Sequence, residues 1–68
     1  MTTYDIRPSG DHWSLYQNGC LKCSMNFAPD LVRMARDYAD RNRPATVRLF
    51  LATGRVEREW GYPAQRRH

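Results

Sequence analysis

Hydrophobic residues recur along the chain at two different spacings, and the longer spacing is confined to residues 27–43. In this stretch they fall every three or four positions, which is the period of an amphipathic helix with one apolar stripe. Pro29 suits the first turn of a helix, and Pro44 cannot continue one. The stripe consists of Leu31, Met34, Ala35, Tyr38 and Ala39. We therefore predict one helix that buries this stripe.

The opposite side of the predicted helix is charged. Arginines and aspartates occur there four residues apart, a spacing at which side chains of opposite charge attract one another on a helix surface. The expected pairs are Arg33–Asp37, Arg36–Asp40 and Asp37–Arg41. The sequence thus predicts a solvated outer face on which arginines pair with aspartates.

Before the helix, apolar residues alternate with polar ones, as in strands that bury one face. The pattern predicts strands at residues 4–7 and 13–17, separated by turn residues. Asn18 and Gly19 then form the strongest short hairpin signal in the chain, because both central positions of a type I′ turn need positive φ. A third strand follows, and its residues predicted to share one face are Leu21, Cys23 and Met25.

After the helix, a second hairpin is predicted. Residues 46–51 form the best strand pattern in the chain, residues 52–54 make a turn, and residues 55–60 return. The residues of this hairpin expected to point inward are Val47, Leu49, Leu51, Val56 and Trp60.

The predicted order of elements is β-β-β-α-β-β. We expect an α+β fold in which one helix packs on one face of a five-stranded, antiparallel-type sheet. Residues 1–62 form the single domain, and residues 63–68 are predicted to be a basic, disordered tail. The chain contains no apolar run of membrane-spanning length and no signal-peptide pattern, so we expect a cytoplasmic protein with no membrane contact.

Short motifs along residues 4–61 occur in the order found in one known family. They are residues 4–8 in the first strand, Trp13 with Leu15 in the second, Gly19 in the turn, Ala35 with Ala39 in the helix, and Gly54 and Trp60-Gly61 in the last hairpin. In these motifs the chain resembles a small bacterial family, domain of unknown function 2188, whose members are βββαββ proteins. The resemblance implies a fold and no catalytic residue, because the family has no established activity.

Cys20 and Cys23 form the strongest candidate for redox or metal chemistry. In redox proteins a C-x-x-C pair opens a helix, whereas this pair enters a predicted strand. A zinc site needs further ligands, and the only histidines are His12 and His68. We therefore predict that Cys23 lies in the core and Cys20 outside it, with no metal ion and no cofactor.

No pattern of residues points to catalysis. Most acidic residues fall on predicted helix or strand faces, and a sheet with one helix offers little concavity in which polar groups could converge. We predict no catalytic residue and no small-molecule substrate, and we interpret the protein as a binding module and not an enzyme.

The sheet face turned away from the helix is the candidate binding surface. The net charge is +4, with 11 basic and 7 acidic residues, and aromatic side chains are expected among cations on this open face. Its candidate residues are Arg7, Tyr16, Lys22, Arg48 and Phe50.

This open face supports two hypotheses. In the first, the protein self-associates, as a homodimer, or binds another protein through the face, which would stabilise so small a domain. In the second, it binds nucleic acid, with bases stacked on the rings and phosphates held by Arg7, Arg48, Lys22 and the tail residues Arg66 and Arg67. Asp5, Glu57 and Glu59 are expected on the same face and would repel phosphates.

Overall fold

The computed structural model describes residues 1–64. Residues 65–68 of the tail predicted at 63–68 lie outside the described residues, and with them Arg66 and Arg67, which the nucleic-acid hypothesis invokes. The elements are β1 (Thr2–Ser9), β2 (His12–Gln17), β3 (Cys20–Met25), α1 (Ala28–Arg41), β4 (Ala45–Phe50) and β5 (Val56–Tyr62). The predicted α+β class and the order of elements are confirmed.

The five strands form one sheet in the order β3-β2-β1-β4-β5. Strand β1 pairs antiparallel with β2 but parallel with β4, so the sheet is mixed and the prediction of an antiparallel-type sheet is wrong in this respect. The reason is the helix: α1 carries the chain back across one face, and β4 therefore begins at the same end of the sheet as β1.

The turn between β2 and β3 has the predicted geometry. Asn18 and Gly19 both have positive φ, at 51° and 86°. The turn also contacts the first strand, because the Thr3 N–H donates to Asn18 Oδ1 at 2.9 Å and the Asn18 N–H donates to the Thr3 carbonyl at 2.8 Å. Asn18 thus has two roles: it forms the turn, and it attaches the turn to β1.

The core lies between α1 and the three central strands. Leu31, Ala35 and Ala39 of the predicted stripe are fully buried, and Met34 and Tyr38 pack at its margin. The sheet contributes Tyr4, Ile6, Leu15, Ala45 and Val47. Each of these lies on the helix side of a strand, as the alternation requires.

The end of α1 is tied to the core by Asn42. Its backbone N–H donates to the Tyr38 carbonyl at 3.0 Å, and its side-chain Nδ2 donates to the same carbonyl at 2.8 Å. Nδ2 also lies 3.3 Å from the Tyr4 hydroxyl oxygen, which accepts from it. The ring of Tyr4 stacks on that of Tyr38, with centroids 6.2 Å apart.

A β-bulge in β3 overturns two sequence predictions. Leu15 pairs with Cys23 while Tyr16 pairs with Leu21, so Lys22 is an extra residue in the strand. Leu21 consequently lies exposed on the open face. The Lys22 ammonium lies 4.7 Å from the Tyr38 ring centroid, on the helix side, and not on the open face where the alternation placed it.

A second β-bulge, in β5, overturns the predicted position of Val56. Leu49 pairs with Arg58 and Phe50 with Val56, which leaves Glu57 as the extra residue. Val56 was predicted to point inward; it lies on the open face and is 45% exposed. Arg58, on the regular side of the bulge, keeps the helix-side position that alternation with Trp60 requires. A strict period of two cannot reveal such an inserted residue.

Leu51, also predicted to point inward, follows the last residue of β4 and is 41% exposed.

Within the described part of the chain, no helix is long and apolar enough to span a membrane.

Candidate functional site

The arginines of the open face are engaged by neighbours on the same face. Arg48 donates from Nε and a terminal nitrogen to the two carboxylate oxygens of Asp5, at 2.9 and 3.1 Å. This hydrogen bond is the main reason that the pKa of Arg48 is raised. Arg7 lies 4.0 Å from the same carboxylate, and Glu59 is the cross-strand neighbour of Arg48. The positive charge of this face is therefore largely neutralised.

The aromatic ring at the centre of this face is covered. Phe50 is only 6% exposed. The guanidinium carbon of Arg7 lies 3.8 Å from its ring centroid, and that of Arg48 lies 5.4 Å away. A base or a partner side chain would have to displace these cation–π contacts before it could stack on the ring.

The structure thus brings together some of the predicted binding residues and separates others. Arg7, Arg48 and Phe50 form one cluster, and Tyr16 stands across from Asp5 beside it. Lys22 lies on the other face of the sheet. The arginines of this cluster contact Asp5 and Phe50 of the same face. This arrangement stabilises the sheet and leaves little of the charge or the ring free for a ligand.

One prediction tests the structural role of this cluster. Replacing Asp5 by asparagine leaves Arg48 without its bidentate acceptor, and we expect the free energy of unfolding to fall by about 1 kcal/mol because the pair is partly exposed. Urea unfolding at neutral pH measures the change. Asp11→Asn is the matched control, because Asp11 lies in a turn and its side chain, among residues 1–64, has His12 as its polar side-chain partner. Equal midpoints for both variants would contradict the structural role.

Cys20 lies outside the core, as predicted, whereas Cys23 lies at the margin of the core. Cys20 is exposed, and Cys23 packs against the core with its thiol 3.7 Å from the sulfur of Met34. Among residues 1–64, no group of three histidine, cysteine, aspartate or glutamate side chains is placed to hold a metal ion.

A groove of about 690 Å³ lies on the helix side of the sheet, between α1 and β5. It exists because α1 packs over the central strands and has the least contact with β5. Its floor is apolar and aromatic, formed by Val32, Leu49, Trp60 and Tyr62. Sequence reasoning missed this concavity, because the lateral position of a helix on a sheet is not encoded in periodicity.

The helix arginines on the groove rim lack the partners that the sequence predicted. Asp37 pairs with Arg41, as expected for that pair, whereas Asp40 is bound by Arg43 at 2.6 Å and not by Arg36. Arg33 and Arg36 consequently form no ion pair among residues 1–64.

Arg58 is the third rim arginine, on the helix side of β5 because it alternates with Trp60 and pairs with Leu49. It also forms no ion pair with any side chain that the structure describes. With Arg33 and Arg36, it gives the groove three arginines without a carboxylate partner. We call this set the groove arginines.

Aromatic rings position two of the groove arginines. The guanidinium carbons of Arg36 and Arg58 lie 5.3 and 5.1 Å from the Trp60 ring centroid. Arg36 Nε also donates to the Tyr62 hydroxyl oxygen at 2.8 Å. These contacts hold two exposed guanidinium groups over a partly apolar surface, with N–H donors left free to bind a ligand.

A weak signal for this site was present in the sequence. Arg58, Trp60 and Tyr62 alternate, and Arg33 and Arg36 are three residues apart on the helix. The inward positions predicted for this strand, Val56 and Trp60, do not include Arg58, which lies between them.

The fold and this groove define a small α+β domain with an arginine-rimmed, aromatic-floored cleft at one side of its sheet. No family model, curated protein or solved structure matches the chain. The resemblance to domain of unknown function 2188 therefore stays a prediction.

Proposed function

We propose that the protein is a binding module, not an enzyme, and that it binds an acidic segment of another protein in the groove between α1 and β5. The observation that carries this proposal is the set of groove arginines, which have no carboxylate partner among residues 1–64 and stand over Trp60 and Tyr62. The sequence assigned the binding surface to the open face. The groove supports the function better, because the arginines of the open face already hold Asp5 and Phe50.

The chemistry of the groove favours carboxylates. Guanidinium groups bind them through planar, often bidentate hydrogen bonds. The groove also contains Asp37 and Asp40, but Arg41 and Arg43 neutralise these two, so the local charge is set by the groove arginines. An apolar floor adds affinity for aliphatic or aromatic groups between the acidic ones.

The positive charge of the groove arginines favours an acidic partner over a second copy of the chain. Two grooves brought together would place two sets of groove arginines face to face in a partly dry interface. Like charges in such a position cost several kcal/mol, by order of magnitude. Self-association through the groove is therefore disfavoured, and binding of a different protein is the form of the interaction hypothesis that we retain.

A matched pair of arginine variants tests the proposal. Poly-glutamate serves as the ligand, and its binding is followed by tryptophan fluorescence at low and moderate salt. We expect Arg58→Gln to weaken binding by about 1–3 kcal/mol, roughly 5- to 150-fold, because it removes a charged donor from the groove. Arg55→Gln removes the same charge from the exposed end of the β4–β5 turn, outside the groove, and should leave affinity almost unchanged.

Two results would reject the proposal. Equal losses in Arg58→Gln and Arg55→Gln would indicate general attraction to a basic protein and no defined site. Absence of poly-glutamate binding at low salt, where the electrostatic contribution is largest, would reject a site for acidic segments altogether.

A further inference from the structure

We propose that the acidic segment binds as an extended strand that pairs with the free edge of β5 and becomes the sixth strand of the sheet. The inference rests on the function proposed above and adds to it the conformation and pattern of the ligand. The groove and the free edge lie side by side, because Arg58, Trp60 and Tyr62 are alternate residues of β5 and also line the groove.

The edge of β5 is available for pairing. β5 lies at one end of the sheet and pairs only with β4. In the part of the chain that the structure describes, none of the backbone hydrogen bonds outside the helix and the strand ladders involves Val56–Tyr62. An edge of this kind presents N–H donors and C=O acceptors that another strand can satisfy.

The opposite edge of the sheet has no comparable site. On the helix side of β3, Cys23 packs against Met34, and Lys22 extends over the Tyr38 ring. These contacts fill the space between the edge strand and α1. Only along β5 does the described structure leave a groove next to an unpaired edge.

The groove fixes the pattern of the ligand. A strand added to β5 lies about 4.8 Å from it, and its alternate side chains point to the helix side. Those side chains meet Arg58 near one end and Trp60 and Tyr62 farther along, with Arg33 and Arg36 above them on α1. We therefore expect acidic residues alternating with residues of another type, and an aliphatic residue in the position that reaches the aromatic floor.

A peptide fits this site better than single-stranded nucleic acid does. The edge of β5 offers donors and acceptors in alternation, whereas a phosphate backbone only accepts hydrogen bonds. The ring of Trp60 already has two guanidinium groups near it, and Tyr62 has that of Arg43 at 5.3 Å from its centroid. The rings therefore position arginines and are not free platforms for bases.

Backbone methylation of a test peptide separates strand pairing from simple charge attraction. The peptide has seven residues, the length of β5, with threonine at alternate positions and glutamate or valine between them. In one derivative the threonine nitrogens are methylated, and in the other the glutamate and valine nitrogens are. Charge and side chains are identical in both, but successive N–H groups of a strand point to opposite edges, so only one derivative loses the donors that face β5.

Fluorescence anisotropy of labelled peptides gives the affinities. We expect one methylated derivative to bind about tenfold or more weakly than the other, because it loses several backbone hydrogen bonds. We also expect alternate amides of Val56–Tyr62 to exchange more slowly with solvent when the unmethylated peptide is bound.

Equal affinity of the two derivatives, whether both strong or both weak, would overturn strand pairing. If Arg58→Gln still weakens poly-glutamate binding in that case, the function proposed above stands and only the strand inference fails. Failure of the unmethylated peptide to bind while poly-glutamate binds has the same meaning. A random single-stranded oligonucleotide that binds with the same dependence on Arg58, without slowing exchange in β5, would overturn the peptide as ligand.

Discussion

Replacing Leu31 by alanine is expected to lower the free energy of unfolding by about 2–5 kcal/mol. Leu31 is 0% exposed and belongs to the core between α1 and the sheet. The substitution removes buried methyl groups and leaves a cavity that the surrounding strands fill only in part. Native domains have about 0.05–0.15 kcal/mol of stability per residue. For 68 residues this is roughly 3–10 kcal/mol, so the variant should be close to unfolding at 25 °C.

The measurement is urea unfolding followed by far-UV circular dichroism, with Leu51→Ala as control. The chemical change is identical, but Leu51 follows β4 and is 41% exposed, so we expect a loss of no more than about 0.5 kcal/mol. If the two variants unfold at the same denaturant concentration, α1 does not pack on the sheet through Leu31. The position of the groove would then be wrong as well.

Replacing Tyr4 by alanine is expected to cost about 3–5 kcal/mol, the range found for large buried side chains. Tyr4 is almost completely buried in β1, stacks on Tyr38 and contacts Asn42 through its hydroxyl group. Its removal opens a cavity under the last turn of α1 and frees the side chain of Asn42. The loss should appear as a lower unfolding temperature and as faster amide exchange at the end of the helix.

Tyr4→Phe separates the contribution of the ring from that of the hydroxyl group. The phenylalanine keeps the stacking on Tyr38 and loses only the oxygen that accepts from Asn42. We expect a cost of about 0.5–1.5 kcal/mol, the net value of one hydrogen bond. A loss in Tyr4→Phe as large as that in Tyr4→Ala would show that the hydroxyl contact, and not ring packing, holds the end of α1.

Both buried residues also control the groove. α1 is held over β2, β1 and β4 by Leu31 at one end and by the Tyr4–Tyr38 stack at the other. This placement leaves the helix-side surface of β5 uncovered. A shift of the helix toward β5 would close the groove and bring Arg36 into the space above Trp60. The proposed binding surface therefore exists because the contact between α1 and the sheet stops short of β5.

Much of the fold was predictable because it depends on local patterns. The stripe that contains Leu31 and Ala35 has a helical period, and only a buried contact explains it. The Asn18–Gly19 pair specifies a turn that few other residues adopt. The inward position of Cys23 agrees with its alternation with Met25. These features depend on residues close together in the chain, so the sequence contains them directly.

The candidate site was not predictable in the same way. Three ion pairs were equally allowed by spacing on the helix, and which of them form depends on residues outside it. Arg43, beyond the end of α1, binds Asp40, and Trp60 and Tyr62 of β5 contact Arg36. Competition between near and distant partners is decided by their positions in space.

By itself, the sequence determined the class of the fold, the order of its elements, the helix face that is buried and the hairpin turn, because each follows from periodicity or from the backbone preferences of a few residues. Only the tertiary structure decided the mixed strand order, the bulges at Lys22 and Glu57, and the groove with its unpaired arginines. The mixed order arises because α1 returns the chain across the sheet, the bulges from one inserted residue in each edge strand, and the groove from the lateral position of the helix. Such small shifts leave local patterns unchanged while they alter which side chains meet.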